Sequence, residues 1–391
     1  MNQQDIVVIG AGPAGLAFAR AMKSSGLKVA LVERQPRDAL ADPAFDGREI
    51  ALTQRSIATL KTLGAWDRFP QDDVWPLRAA KVLNGASPLA LTFEPDGGAL
   101  GALVSNHHIR RALFQEVESD PDVTLLTEVA SASAHRSDQG FRIDLGGDDA
   151  IETRLLVVAD SRFSTFRDQL GVGADMNRLG RSMLVCRMTH DADHGHVATE
   201  WFDHGQTLAV LPLGPGCSSI VVTLAAPEIE ALMAMDEVAF ESEMTRRHKG
   251  RQIGGLGALK LVSTRHAYPL VTTWSHRFAG PGFALIGDAA VGMHPVTAHG
   301  FNLGLRSAAS LAKIIKANHA AGRDIAAANA LSAYESEHRR ASLPLYTATN
   351  AIARLYATET VPAKLARHAL LRLGRQAHPV RRLVSRALSA A

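Results

Sequence analysis

The sequence predicts an α/β chain. A Rossmann-like dinucleotide-binding domain is interrupted by an antiparallel β-sheet domain and followed by C-terminal helices. Three observations predict it. A glycine-rich turn near the start joins an apolar run to an amphipathic segment. From about residue 183 to 270, β-rich segments alternate with Pro-Gly punctuation. A second apolar run then enters Gly287-Asp288 and a long helical pattern. With 391 residues, 46% of them apolar, the chain can bury one large core or two fused ones.

Taken in order, residues 5–9 are a short apolar run ending in Gly10, the pattern of a buried parallel strand. Residues 14–24 have helical spacing at Leu16, Ala17 and Ala21, and Gly26 stands in the C-cap position. Residues 28–32 repeat the strand pattern, which completes a βαβ unit. Segments 123–126, 128–135 and 141–145 read as strands. Ser137-Asp138-Gln139-Gly140 supplies turn chemistry between the last two. Residues 154–159 are another buried strand, and 208–213 and 219–224 flank the turn at Gly214-Pro215-Gly216. Residues 283–286 return to the buried-strand pattern. A helix is expected over 301–317, with Leu303, Leu311, Ile314 and Ile315 on one face, and the last sixty residues look helical. The expected division is a dinucleotide-binding domain from 1–75, 101–180 and 272–330, a β-sheet substrate domain from 76–100 and 181–271, and a helical segment over 331–391.

Composition excludes several classes. The two cysteines, Cys186 and Cys217, make neither a disulfide framework nor a metal-ligand cluster, and read as core thiols of a reducing compartment. The opening Met1-Asn2-Gln3-Gln4-Asp5 lacks a basic signal region. No apolar run approaches the roughly 20 residues that cross a bilayer. A cytoplasmic protein is expected, peripheral on a membrane at most. Net charge is +3, which argues against nucleic-acid binding. From Lys364 onward, however, there are seven Lys or Arg and no Asp or Glu, which leaves the remainder at −4. In that tail Leu370, Leu371, Leu373, Val380, Leu383, Val384 and Leu388 interleave with arginines, and Pro379 splits it into two short helices. Such a tail suits an anionic membrane surface, a partner enzyme, or packing on its own domain.

Gly10-Ala11-Gly12-Pro13-Ala14-Gly15 lies between the first strand and first helix. Gly10 permits the tight turn, Gly12 lets backbone approach a pyrophosphate, and Gly15 lets helix pack on strand. The helix N-terminus offers free N–H groups and positive dipole charge to the phosphates. Glu33 ends the second strand, 18 residues after Gly15, where a carboxylate accepts hydrogen bonds from an adenosine ribose. This motif alone leaves FAD and NAD both open.

The second signal separates them. Strand residues Ala284-Leu285-Ile286 run into Gly287-Asp288-Ala289-Ala290, then Met293-His294-Pro295, then Gly300-Phe301-Asn302-Leu303-Gly304 at a helix start. Asp288 can bind a ribityl hydroxyl, small neighbours admit a flat ring, and the helix near Gly300 aims its N–H groups at the flavin N1–C2=O edge. NAD needs no such second site, so FAD is expected.

With Asp46-Gly47-Arg48-Glu49-Ile50-Ala51-Leu52 between them, these segments resemble the single-component flavoprotein aromatic hydroxylases of the p-hydroxybenzoate-hydroxylase-like fold. Ser105-Asn106-His107-His108-Ile109-Arg110, the stretch from His194 through Ala198 and Glu200 to Phe202, and Leu211-Pro212-Leu213 resemble the ubiquinone-biosynthesis hydroxylases, above all the 5-demethoxyubiquinol branch. The resemblance covers about residues 1–330. It implies that Gly10, Gly12, Ala14, Gly15, Glu33, Arg34, Arg110, Asp160, Asp288 and Pro295 bind FAD. It also implies that Arg48 lies near the flavin and its ribityl-phosphate arm, and that Gly300, Phe301 and Asn302 contact the isoalloxazine.

The implied reaction reduces FAD, usually with NADH or NADPH, and transfers one oxygen of O₂ through a flavin C4a-hydroperoxide to an activated phenol or quinol ring, with or without a polyprenyl tail. His294 and His299 flank the flavin segment and are the candidate acid–base groups. Glu200, Leu211 and Pro212 are candidate substrate contacts, and no metal is expected. Four departures from the family pattern stand out. Asp160-Ser161 replaces a usual Asp-Gly, His107 replaces an FAD-contacting Arg, and Arg181 and His299 stand where Gln is common. The rivals are a soluble-substrate hydroxylase on the same fold and a scaffold that keeps FAD without turnover. The Trp-rich segment of halogenases is absent, since Trp66, Trp75, Trp201 and Trp274 stand alone.

Overall fold

The computed structural model describes residues 2–357 except 86, 88, 96, 204, 250–255 and 296–298. The basic tail and its membrane, partner or self-packing readings lie outside the described residues.

The first sheet has eight strands. Its parallel centre runs Phe283–Leu285, Ala150–Val158, Asn2–Ile9, Val29–Val32 and Val123–Leu126. Val7, Val8, Leu31, Val157 and Leu285 are fully buried, as expected where helices cover both faces of a parallel sheet. Helices Pro13–Ala21, Asn106–Glu118 and Gly300–Ala320 pack together over it.

Several sequence-based boundaries shift. The first helix ends at Ala21 rather than 24, because Ser24 and Gly26 both take left-handed φ values, 60° and 76°. The strand expected at 128–135 is Ser133–Ser137, since Glu128 has φ 61° and cannot continue a strand. It pairs with Gly140–Asp144 across Asp138-Gln139. The strand expected from 154 starts at Ala150, because its first half alternates half-buried and buried residues rather than forming an apolar run. The helix expected over 301–317 extends over Gly300–Ala320, and a further helix spans Ala328–Ala357 with Pro344 inside it.

The second sheet has nine strands, ordered Val291–Gly292, His266–Ser275, Ala174–Thr189, Cys217–Ala225, Gln206–Pro212, Val197–Asp203, Ala79–Asn84 and Ala90–Phe93, with Lys260–Leu261 beside Ala174–Thr189. Most pairs are antiparallel; Val197–Asp203 and Ala79–Asn84 run parallel. Period-two alternation gives this sheet two different faces. On one, Leu184, Cys186, Met188, Leu208, Val210, Ile220 and Val222 form a core with Ile229, Leu232, Phe240 and Met244 of helices Ala226–Ala234 and Glu237–Lys249. Burial there pushes the Cys186 thiol up to about 12, so it is an inert core group. The other face meets the Asp46–Arg48 loop: a Cβ on Gly47 would lie 2.9 Å from Val185 Cγ2 and 2.8 Å from His266 Cδ2. A three-stranded sheet, Glu49–Thr53, Gly101–Ser105 and Val74–Leu77, completes the described strands. No helix among the described residues is long and apolar enough to cross a membrane.

Candidate functional site

The glycine turn has the geometry its sequence demands. Gly10 has φ 102°, and a Cβ there would sit 2.7 Å from Ala159 O; a Cβ on Gly15 would sit 2.0 Å from Gly10 O. Gly12, the N-cap of Pro13–Ala21, is different, since a Cβ there meets nothing within 4 Å. The helix N-terminus is therefore open to a phosphate. Glu33 folds back on the same turn: Oε2 accepts from Ala11 N–H at 2.7 Å, and Oε1 accepts from the Arg34 and Gln35 N–H groups at 3.0 Å. The Arg34 side chain itself is exposed. Asp160 lies beside Gly10, with its Cα 3.0 Å from a Cβ built there. Burial raises its carboxyl above the usual range against hydrogen bonds from Ser164 and Ser161.

Three small residues bring the two distant motifs together. Gly287, at φ 60°, has room for no Cβ because Ala14 Cβ would be 2.8 Å away, and a Cβ on Gly304 would lie 3.4 Å from Gly287 Cα. The first helix, the Gly287–Ala289 turn and the helix Gly300–Ala320 are thus in direct contact. Ser307 locks the arrangement by accepting from Gly287 N–H at 3.0 Å and donating to Gly304 O at 2.6 Å. Gly300 opens its helix, and among the described residues nothing lies within 4 Å of a Cβ built there. Phe301 packs half-buried against the main core. Asn302, expected to contact a flavin ring, has its amide committed elsewhere. Its Oδ1 accepts from Thr53 N–H at 3.0 Å and its Nδ2 donates to Ala51 O at 2.9 Å, which ties strand Glu49–Thr53 to the helix start.

That strand follows the Arg48 loop. Arg48 donates from Nε and Nη2 to Asp46 Oδ2 at 3.1 and 2.6 Å and lies over the Tyr268 ring, 5.4 Å from its centroid. Asp46 also accepts from Asn106 Nδ2 at 2.8 Å, and Tyr268 O–H donates to Asp46 O at 2.7 Å. Burial opposes the charge on Asp46, yet the Arg48 and Asn106 contacts hold its carboxyl below the usual range. Arg110 bonds Gln35 at 3.3 Å. Burial depresses its guanidinium, which also feels the charges of Asp46, Arg48 and Glu33. His107, where an arginine was expected, bonds Ser105 at 2.8 Å and is held down to about 4, first by burial and then by His108.

Asp288 is half-exposed and paired with a residue that sequence reasoning missed. Arg162 Nε and Nη2 donate to its Oδ2 at 3.1 and 2.7 Å, and Nη1 donates to Val271 O at 2.8 Å. The one available signal was position, since Arg162 directly follows the unusual Asp160-Ser161 pair. Tyr268, Asn106 and the Arg187–Glu49 pair were also missed. Arg187 Nε bonds Glu49 Oε1 at 2.8 Å, and the Glu49 side chain is 1% exposed. Removing the Arg162 guanidinium leaves Asp288 without its partner. Arg162→Ala is expected to raise the FAD dissociation constant about three- to tenfold. An FAD titration of apoprotein by fluorescence quenching checks this, and an unchanged constant contradicts it.

Of the acid–base candidates, His294 is held down to about 4, first by burial and then by Arg181, and is neutral at pH 7. His299 is 3% exposed at the N-cap of the helix Gly300–Ala320. Pro295 follows His294 and is half-buried. Among the substrate candidates, register puts Glu200 opposite Ala209, on the face that meets the Asp46–Arg48 loop; Leu211, two residues on from Ala209, shares that face. Pro212 does not. It pairs with Ser218, is buried and turns to the helix-covered face, opposite to the one that Leu211 shares with Glu200.

The residues fit FAD. The N-termini of two helices, each with no described residue within 4 Å of a Cβ built at Gly12 or Gly300, flank the Ala14–Gly287–Gly304 contact, with Glu33 beside the first and Asp288 beside the second. No group of three or more His, Cys, Asp or Glu able to hold a metal occurs among the described residues.

Comparison with known proteins agrees with this geometry. A family model described as an FAD binding domain matches residues 3–347. Ubiquinone hydroxylase UbiM of Neisseria meningitidis is 44% identical over 98% of this chain and 84% of that protein. Ubiquinone hydroxylase UbiL of Rhodospirillum rubrum is 30% identical over 98% of this chain and 88% of that protein. Among solved structures, p-nitrophenol 4-monooxygenase PnpA of Pseudomonas putida superposes with a TM-score of 0.79 at 17% identity, over 100% of this chain and 99% of that one, a likeness of fold.

Proposed function

The chain belongs to the FAD-dependent monooxygenases of ubiquinone biosynthesis, and from that premise we propose that its substrate is a demethoxyubiquinol-type quinol, hydroxylated at the bare ring carbon in a 5-hydroxylation. NADH or NADPH is the proposed electron donor. The observation that supports a ring substrate is the apolar row Val185, Val221 and Ala209 on the sheet face that meets the Asp46–Arg48 loop.

FAD, when bound, would supply the redox chemistry, in which two electrons come from the donor, one atom of O₂ enters the electron-rich ring and the other leaves as water. The chain's own residues do the rest. The N–H groups of Gly12, Ala14 and Gly15 would take the pyrophosphate, Pro13 having none, and Glu33 would take the ribose hydroxyls. Asp288, oriented by Arg162, accepts from a ribityl hydroxyl. Arg48, fixed by Asp46, contributes a cation on the flavin side of the loop. The helix from Gly300 turns its positive end to the ring edge where negative charge gathers on reduction. The apolar sheet face excludes water and orients the quinol. The basic tail is proposed to bring the protein to a membrane surface, where a polyprenylated quinol resides.

The test is incubation of the holoprotein with NADH or NADPH, a short-chain demethoxyubiquinol analogue and ¹⁸O₂. The expected product carries one labelled oxygen on the ring. Donor consumption that yields only hydrogen peroxide overturns the substrate assignment.

A further inference from the structure

We propose that Glu200 is a substrate-positioning residue, a neutral carboxylic acid that donates a hydrogen bond to a ring oxygen of the aromatic substrate. This rests on the quinol reading above.

The geometry comes from strand register. Val82, Glu200, Ala209, Val221, Val185 and His266 lie side by side across five strand pairings, so they share one face of the nine-stranded sheet. That face meets the Asp46–Arg48 loop at Val185 and His266. Three strand spacings put Glu200 about 14 Å along the sheet from Val185, across the apolar floor. The same-face neighbours on its own and adjoining strands are Ala198, Phe202, Thr207, Leu211, Ala80 and Asn84, none of them titratable.

Among the described residues, Glu200 has no hydrogen-bonding or ionic partner, although it is half-buried. Burial is the sole influence on its ionisation, and it pushes the carboxyl up to about 8. A carboxyl in this state costs stability without return unless another molecule uses it. Other ionisable side chains on the same face are engaged: Arg187 bonds Glu49, Arg181 bonds Thr223 O, and Tyr268 bonds Asp46 O. Glu200 is set apart from them on the floor of the ring-binding face. At neutral pH it is an O–H donor, and a quinol or methoxy oxygen is an acceptor of matching chemistry.

Two variants of the holoprotein test this, with substrate dissociation constants and the ratio of peroxide to hydroxylated product as readouts. Glu200→Leu removes the donor, and Glu200→Gln keeps one. Glu200→Leu is expected to weaken binding of the demethoxyubiquinol analogue at least tenfold and to raise peroxide release, while flavin content holds and the melting temperature holds or rises. Glu200→Gln is expected to bind within about threefold of wild type. A structural role alone would move stability in the opposite sense. Because the fold favours the protonated form, wild type should lose stability relative to Glu200→Gln as pH rises from the ordinary carboxylate range toward 8. Wild-type affinity in Glu200→Leu, or equal failure of both variants, overturns the proposal. If wild type itself does not bind the quinol, the substrate reading fails instead and takes this one with it.

Discussion

Gly15→Ala is expected to yield protein without flavin and with a markedly lower melting temperature. The added methyl would lie 2.0 Å from Gly10 O, a backbone atom that cannot swing aside. Gly10 has no slack to offer, because its own φ of 102° and its closeness to Ala159 O fix it against the strand Ala150–Val158. Relief requires opening the turn, which removes the N–H groups that face the pyrophosphate. The expected loss of FAD affinity is on the order of a hundredfold or more, about 3 kcal/mol. Gly12→Ala is the control. Its Cβ meets no protein atom within 4 Å, so the chain should fold with an unchanged melting temperature. Only a ligand at the helix N-terminus would feel the methyl, so flavin affinity should still fall. Flavin absorbance per chain and thermal unfolding, measured together on both variants, check this. Full flavin content in Gly15→Ala contradicts it.

The second large effect belongs to Asn302. Its amide serves Thr53 N–H and Ala51 C=O inside the protein, where Asn302 is 1% exposed. Asn302→Leu removes the hydrogen bonds to buried Thr53 and half-buried Ala51, at a cost of about 3 kcal/mol. It also frees strand Glu49–Thr53, and with it the Arg48 loop, from the helix that begins at Gly300. Hydroxylation should fall more steeply than FAD binding, since the adenosine end at Glu33 is untouched. Asn302→Asp keeps an acceptor for Thr53 N–H but loses the donor to Ala51 O, so it should fall between wild type and Asn302→Leu. Denaturant unfolding and product formation across the series measure both effects. Equal stability of all three proteins would show that the clamp contributes nothing.

Much of the fold was legible because it depends on local pattern. The Gly10–Gly15 turn, the strands beside it and the helix after Gly300 each carry their signal within a few residues, and a parallel sheet buried on both faces leaves unbroken apolar runs. The misplaced boundaries fall where that signal fails. The strand Ala150–Val158 alternates over its first half, and Glu128 adopts a left-handed φ that no periodicity announces. The site was legible as two motifs but not as a junction. The contact among Ala14, Gly287 and Gly304 joins residues nearly 300 positions apart, and one sequence cannot show which small residues touch. Arg162 and Tyr268 were missed for the same reason, since each acts through a partner distant in sequence. Leu211 and Pro212 look equivalent in a motif, whereas the pleat sends them to opposite faces. That the Asn302 side chain also holds backbone was not legible in the sequence. An asparagine at a helix start suits either role until the facing strand is known.

The central claim is that the Gly10–Gly15 turn and the segment from Gly287 to Gly304 grip the two ends of one FAD. A crystal structure of the flavin-loaded protein tests this most directly. The predicted result is a single FAD whose adenosine ribose meets Glu33, whose phosphates meet the N–H groups after Gly12, and whose ring edge faces the helix start at Gly300. Flavin bound elsewhere, or side chains filling the space before Gly12 and Gly300, would contradict the account.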